Sequence, residues 1–160
     1  MTPTKISQYL EKNRIRFRWL PHQTEAVSIA DAAQQRGIRP HQMVKCILLR
    51  DMGNKHALAC VPGDESVDPK KVREALGWRR MTCVCKNDIK QIINYQAGTI
   101  TPLFIPEHIP VIFDSTLYEE PEVTISSGHT MAGILLSIKD LNKLVLPRIY
   151  DIVRKTELSD

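Results

Sequence analysis

No stretch of this chain approaches the roughly 18 to 20 consecutive apolar residues needed to span a bilayer. The N-terminal segment MTPTKISQYLEKN lacks the apolar centre of a secretory signal. No membrane partner is expected, and the reading is cytoplasmic. Phosphate-binding Walker loops, nucleophile elbows and metalloprotease helices are also missing. The four cysteines, Cys46, Cys60, Cys83 and Cys85, match no common zinc spacing. Cys83 and Cys85 would share one face of a strand, but the second pair that a zinc site needs is absent. Buried reduced thiols are expected, with no metal and no cofactor. There is no internal repeat, linker or low-complexity segment.

What is present describes one ordinary globular domain, expected to occupy residues 1–160. Of the 160 residues, 42% are hydrophobic and 25% charged, which excludes disordered and fibrous classes. A chain of this length buries roughly two thirds of its unfolded surface and needs no disulfide to hold a core.

The net charge of +4 is unevenly placed. Residues 1–20 carry Lys5, Lys12, Arg14, Arg16 and Arg18 against Glu11, which accounts for all of it. Residues 69–90 carry seven cations and two acids, whereas 91–138 carry five acids and no Lys or Arg. Such polarity suits a surface that meets a polyanion on one side.

Punctuation along the chain predicts short elements. Thr2-Pro3 opens a helix that ends near Asn13. From Arg14 to Trp19 the period is two, with Ile15, Phe17 and Trp19 on one face and three arginines on the other. That strand offers either an RNA-facing stripe or simply solvated charge. Ser28 and Gly37 bound an Ala-rich helix. Met43–Leu49 and His56–Val61 flank a turn and read as a hairpin. Asp68, Pro69 and Gly77 cap, start and stop another helix. Met81–Cys85 reads as a strand, and Asn87 caps a helix through Ile93. Strands follow at Pro110–Phe113, Glu122–Ile125 and Gly133–Ser137, and a last helix begins near Asp140, where Ser137 and Asp140 repeat a capping-box spacing. The tally predicts a mixed α/β or α+β domain.

Four places could carry chemistry. Lys45 begins a strand that is apolar on both faces, so its amine either snorkels outward or serves a pocket. Gly98, flanked by Thr99 and Thr101 and stiffened by Pro102, can present backbone N–H groups to a polarised carbonyl or a phosphate. In Ser126-Ser-Gly-His129, His129 can deprotonate a water or hydrogen-bond its own loop. Asp114, before Ser115 and Thr116, can hold an amine or cap a turn.

Taken in order, these segments resemble the YbaK/ProRS-associated editing domains, a family of aminoacyl-tRNA deacylases. The resemblance rests on Pro21-His22, Val44-Lys-Cys-Ile-Leu48, Val61-Pro-Gly-Asp64, Asp114-Ser-Thr116 and Ser127-Gly128. It also includes Tyr95, Gly98 and Pro102 in the family's Gly-Tyr-x-x-Gly-x-x-x-Pro, with Asn94 in place of the first Gly. Cys46 stands where the family often has Thr, and an Arg-Gly common after Gly128 is missing.

The resemblance implies a mixed, mostly antiparallel sheet with a barrel-like core surrounded by short helices. It implies a pocket that takes the 3′ end of a mischarged tRNA and hydrolyses its ester, usually Cys or Ala on tRNA(Pro), with prolyl-tRNA synthetase as an associated partner. Lys45, Gly98 and His129 would be catalytic. Asp114, Ser115, Thr116, Tyr95, Thr99, Pro102, Ser127 and Gly128 would bind substrate, and Arg14, Arg16 and Arg18 would hold RNA. The competing readings are a non-catalytic tRNA-binding module on the same fold and a small metal or redox domain using Cys83 and Cys85.

Overall fold

The computed structural model describes residues 2–155. Helix α1 (Lys5–Lys12) starts two residues later than Thr2-Pro3 suggests, because a reciprocal cap fixes it at Thr4. Ser7 N donates to Thr4 Oγ1 (3.1 Å), and Thr4 N donates to Ser7 Oγ (2.8 Å). Ile6 and Leu10 face inward. Arg14, at φ 58°, reverses the chain after α1, so strand β1 covers Phe17–Pro21 rather than beginning at Arg14. The alternation survives: Ile15, Phe17 and Trp19 are half-buried, while Arg14, Arg16 and Arg18 are exposed.

Helix α2 (Ile29–Arg36) lies between its two expected caps. Ser28 Oγ accepts from Asp31 N (3.0 Å), and Gly37 takes the left-handed conformation at φ 71°. Strands β2 (Val44–Asp51) and β3 (His56–Pro62) form the expected hairpin. Asp51 shapes its turn by accepting from Gly53 N (2.8 Å) and Lys55 N (2.9 Å). Helix α3 (Pro69–Leu76) is capped by Asp68 and stopped by Gly77, as expected.

Strand β4 (Met81–Cys83) is shorter than expected, and Asn87 caps nothing: a 3-10 turn over Lys86–Asp88 leads into α4 (Ile89–Ile93). Strands β5 (Val111–Asp114), β6 (Glu122–Ser126) and β7 (Ala132–Ser137) precede α5 (Ile138–Val145), where Ser137 Oγ accepts from Asp140 N (3.0 Å). A further strand, β8 (Arg148–Tyr150), had no sequence signal.

The strands form a mixed, mostly antiparallel pair of sheets wrapped by short helices. The barrel-like core implied by the family resemblance is instead open: β1-β7-β6 make an antiparallel sheet of three, and β4-β2-β3-β5-β8 make a mixed sheet of five. Both parallel pairs involve β5. A single bridge between Met43 and Thr124 joins the sheets without closing them. The main core fills the space between them, with Leu48, Leu58 and Phe113 opposed by Val123, Ile125, Ile134 and Leu136. The other face of the larger sheet, through Leu49, Ala59, Val61 and Ile112, packs on Val72 of α3. Strand β2 is therefore internal and covered on both faces, as its apolar run implied. No helix among the described residues is long and apolar enough to cross a membrane.

Candidate active site

Between α2, the start of β2 and the ends of β6 and β7 lies a cleft made of two adjoining cavities. The larger, about 420 Å³, is bordered by His22, Glu25, Arg36, Gly98, Thr99 and His129 among others. The smaller, about 120 Å³, is bordered by Lys45, Cys46, Ile100 and Thr124. Ile29, Arg36, Met43, Gly98 and Ser126 line both. The fold thus brings together Lys45, Gly98, Thr99 and His129, which are up to 84 positions apart in the chain. A cavity of similar size at the β2–β3 turn, lined by Arg50, Asp51, Arg80 and Thr82, contains none of the residues singled out from sequence.

Lys45 is held at the start of β2, paired in register with Val61. Its ammonium donates to the Glu65 carbonyl in the loop after β3. Burial pulls its pKa down, and the carboxylates of Asp64 and Glu65 pull it back up. That loop is locked by Gly63, where a Cβ would lie 2.5 Å from the Pro40 carbonyl oxygen. The glycine in Val61-Pro-Gly-Asp64 therefore serves a close backbone approach.

The loop after α4 is positioned by its own polar groups. Asn94 adopts the left-handed conformation at φ 60°, which explains how it replaces the family's glycine. The Tyr95 hydroxyl donates to the Leu103 carbonyl, and burial raises its pKa. Thr101 Oγ1 donates to Ser126 O (2.5 Å), docking the loop on the end of β6. Gly98, at φ 88°, sits at the tip with open space around its Cα. Its neighbour Thr99 donates its N–H to Gln96 O (3.0 Å), whereas the Gly98 N–H has no acceptor among the described residues.

Ser127 builds the His129 loop from inside. Its buried hydroxyl donates to Ala132 O (2.7 Å) and accepts from His129 N (3.1 Å), while Gly128 turns at φ 89°. Tyr95, Ser127 and Gly128 border a separate hollow under α1, and Pro102 is buried behind the loop. These four shape the cleft without lining it.

Asp114, Ser115 and Thr116 are not brought to the cleft. Asp114 is fully buried, and its carboxylate accepts from Thr116 N (2.9 Å) and Ile152 N (2.7 Å), so it caps a turn and anchors the chain after β8. The arginines expected to hold RNA lie elsewhere too. Arg16 and Arg18 border a groove with Glu122 and Asp140, and Arg14 is in the preceding turn.

The expectation of buried thiols holds for Cys60, with Cys46 half-buried, but not for Cys83 and Cys85, which are exposed because β4 is an edge strand that ends at Cys83. Among the described residues, a group of side chains able to share a cation is His41, Asp64 and Glu65, with ligand atoms within 4.8 Å of one another. It includes neither exposed cysteine.

Sequence reading gave no role to Arg36, Thr124 or Gly133, and His22 entered only within Pro21-His22 of the family resemblance. Arg36 Nε donates to His22 Nε2 (3.0 Å), and Nη1 donates to Thr124 Oγ1 (3.0 Å). A Cβ on Gly133 would lie 2.4 Å from the guanidinium. An arginine in a helix's last turn ordinarily reads as a dipole partner, so the sequence carried no signal for this role.

The pattern of the aminoacyl-tRNA editing domain matches residues 23–144. Prolyl-tRNA editing protein ProX of Acetoanaerobium sticklandii is 24% identical over 108 residues, which cover 64% of this chain and 66% of that protein, just under two thirds of its length. The protein named as a candidate Cys-tRNA(Pro)/Cys-tRNA(Cys) deacylase, EbsC of Enterococcus faecalis, is 22% identical over 87% of this chain and 83% of its own. A crystal structure of a candidate trans-editing enzyme for prolyl-tRNA synthetase superposes with a TM-score of 0.79 at 21% identity, covering 94% of this chain and 95% of that one. At that identity the superposition speaks for the fold.

Proposed function

The chain belongs to the aminoacyl-tRNA editing domain family, and on that premise we propose that it acts in trans as a deacylase of mischarged tRNA(Pro), removing Cys or Ala. The whole of 1–160 serves as one editing domain, working on the product of a prolyl-tRNA synthetase without a metal or cofactor. The observation that carries the reading is the convergence of Lys45, Gly98 and His129 on one cleft.

The chemistry is sparse and balanced. A water oxygen attacks the ester carbonyl carbon while a His129 ring nitrogen takes its proton. The Gly98 N–H, at the loop tip and without another acceptor, meets the oxyanion as it forms. Collapse breaks the bond to the ribose oxygen, which takes a proton and leaves free amino acid and tRNA. Lys45, still an ammonium, lies against the terminal ribose, and Thr99 borders the acyl group. Because an aminoacyl ester is already activated, a thousandfold acceleration needs only about 4 kcal/mol. One oxyanion donor contributes roughly 2.7 to 4 kcal/mol of that. The smaller cavity, about 120 Å³ beside the larger one of about 420 Å³, is a space suited to a small side chain.

The test is hydrolysis of tRNA(Pro) charged with Cys or Ala, followed by acid-stable counts of remaining ester. The expected result is turnover by the native protein and a loss of at least about a hundredfold in Lys45→Ala. If the ester decays no faster than in buffer, or if the variant keeps full activity, the reading fails. Salt-dependent tRNA binding with no turnover would instead mark a non-catalytic tRNA-binding module.

A further inference from the structure

Arg36 has no task in that mechanism, yet its environment is unlike that of any other cation in the cleft. We propose that Arg36 is a substrate-binding group of the cleft that takes the phosphodiester next to the terminal adenosine, an inference that rests on the deacylase reading. Its guanidinium borders both cavities. The two groups that hold it, His22 Nε2 and Thr124 Oγ1, are neutral. Accepting at Nε2 places the His22 proton on Nδ1, and burial followed by the charge of Arg36 lowers the His22 pKa, keeping the ring uncharged.

Arg36 takes part in none of the ion pairs among the described residues, which are Arg39–Glu120, His41–Asp64, His41–Glu119 and Lys71–Asp151. Lys45 differs, since it has the Glu65 carbonyl and two nearby carboxylates. Burial without a counter-charge pulls the Arg36 pKa down to about 10. A partly desolvated charge of this kind is costly unless something compensates it. Two of its five N–H donors are used, and the guanidinium fork that remains matches two oxygens of one phosphate or carboxylate.

The chemistry of the substrate narrows the choice. The ester is neutral, and the α-amine is cationic and repelled. The phosphodiester beside the terminal ribose is present in every aminoacyl-tRNA, whichever amino acid it carries. A carboxylate on an acidic amino acid has the same oxyanion chemistry and is the second source to distinguish.

The experiment is a binding cycle that needs no catalysis. A CCA-ended microhelix of the acceptor stem carrying amide-linked alanine is titrated by fluorescence anisotropy, with either a native or a neutral methylphosphonate linkage before the last adenosine. Both are bound to the native protein and to Arg36→Gln. Each single change is expected to weaken binding about tenfold, and the two together by no more than about the same tenfold, because they remove one interaction. A second arm compares amide-linked Asp with Asn. A preference for Asp that vanishes in Arg36→Gln places the oxyanion on the amino acid and retains the subsite. If the losses multiply in both arms, the inference is overturned.

Circular dichroism checks the fold of Arg36→Gln, and Gly133→Ala, which displaces the same guanidinium, repeats the cycle if that variant does not fold. Native protein that binds with this coupling but never hydrolyses mischarged tRNA sinks the deacylase reading alone. Native protein that hydrolyses without coupling sinks only the Arg36 inference. Failure to bind the microhelix at all sinks the Arg36 inference, and leaves the deacylase reading to the hydrolysis assay.

Discussion

Two glycines with nearly equal clashes predict opposite outcomes, because what they would strike differs. A Cβ on Gly133 would meet the far end of Arg36 at 2.4 Å, a flexible side chain that can swing away. Gly133→Ala is therefore expected to cost no more than the bonds of Arg36 to His22 and Thr124 that it displaces, about 1 kcal/mol in urea titration, while raising KM for mischarged tRNA as Arg36→Gln does. A Cβ on Gly63 would meet the Pro40 carbonyl at 2.5 Å, and that backbone is fixed by the 3-10 turn over Pro40–Gln42. Gly63→Ala is expected to cost about 1–3 kcal/mol in the same titration, and to shift the loop that holds Lys45. Equal stability losses in the two variants would contradict the assignment of Gly133 to Arg36 rather than to the core.

At the scale of elements, the cleft depends on how loops are tied to strands. Thr101 is fully buried, and its hydroxyl is the bond that docks the Gly98 loop on β6. Thr101→Val keeps the shape and removes that bond, so about 1–3 kcal/mol of stability is expected to go, with kcat falling more than KM rises. A fall in KM-dependent binding with kcat intact would detach the loop from catalysis.

A second tie is His41, whose Nδ1 meets Asp64 Oδ1 (2.9 Å) and whose Nε2 meets Glu119 Oε1 (3.1 Å). Burial alone would lower its pKa, but the hydrogen bonds to Asp64 and Glu119 outweigh this and hold it above the ordinary value. Its contribution is then fully present below the unfolded pKa of about 6.5 and is lost as pH rises through the raised folded value. The stability gap between native protein and His41→Asn should be largest near pH 5–6 and shrink above neutrality in denaturant titrations. A gap that grows with pH would reverse the sign and refute the pairing.

These ties also explain what could be read in advance. Asp68, Pro69, Gly77, Ser28 and Gly37 mark helix ends through bonds within four residues, so α2 and α3 were legible. The hairpin of β2 and β3 was legible for the same reason. The division into two sheets, the parallel pairing of β5 with β3 and β8, and β8 itself depend on contacts far apart in sequence and had no local mark. The same holds for the site. Lys45, Gly98 and His129 sit in short recognisable strings, whereas the Arg36–Thr124 bond spans 88 positions. Asp114 shows the limit of strings, because its motif allowed both an amine-binding acid and a turn cap, and only the fold shows that it caps a turn and anchors the chain.

For the whole molecule, the question is which charged surface leads RNA to the cleft. Of the cations behind the +4 of the first twenty residues, Lys5 and Lys12 lie on α1, Arg14 and Arg16 between α1 and β1, and Arg18 on β1, where it stands in one cross-strand row with Leu135 and Thr124. Thr124 is the residue that holds Arg36, so this sheet face runs directly into the cleft. The second basic segment has Lys70, Lys71 and Arg73 on α3, against the far face of the larger sheet, where Lys71 already pairs with Asp151, and its other cations between α3 and α4 or on α4. Glu122 and Asp140 share the groove of Arg16 and Arg18 and temper it, which argues for a guiding track of modest strength rather than a tight clamp. Each phosphate contact contributes roughly 0.9 to the slope of log affinity against log salt on a duplex. Arg16→Gln with Arg18→Gln should therefore reduce the slope for tRNA binding by about 2 and weaken different tRNAs alike. Arg14, set in the turn before the strand, should add less when replaced. Lys70→Gln with Arg73→Gln should leave the slope unchanged. If the α3 pair lowers the slope and the β1 pair does not, the tRNA body approaches from the opposite side, and the track along β1 is only a solvated strand face.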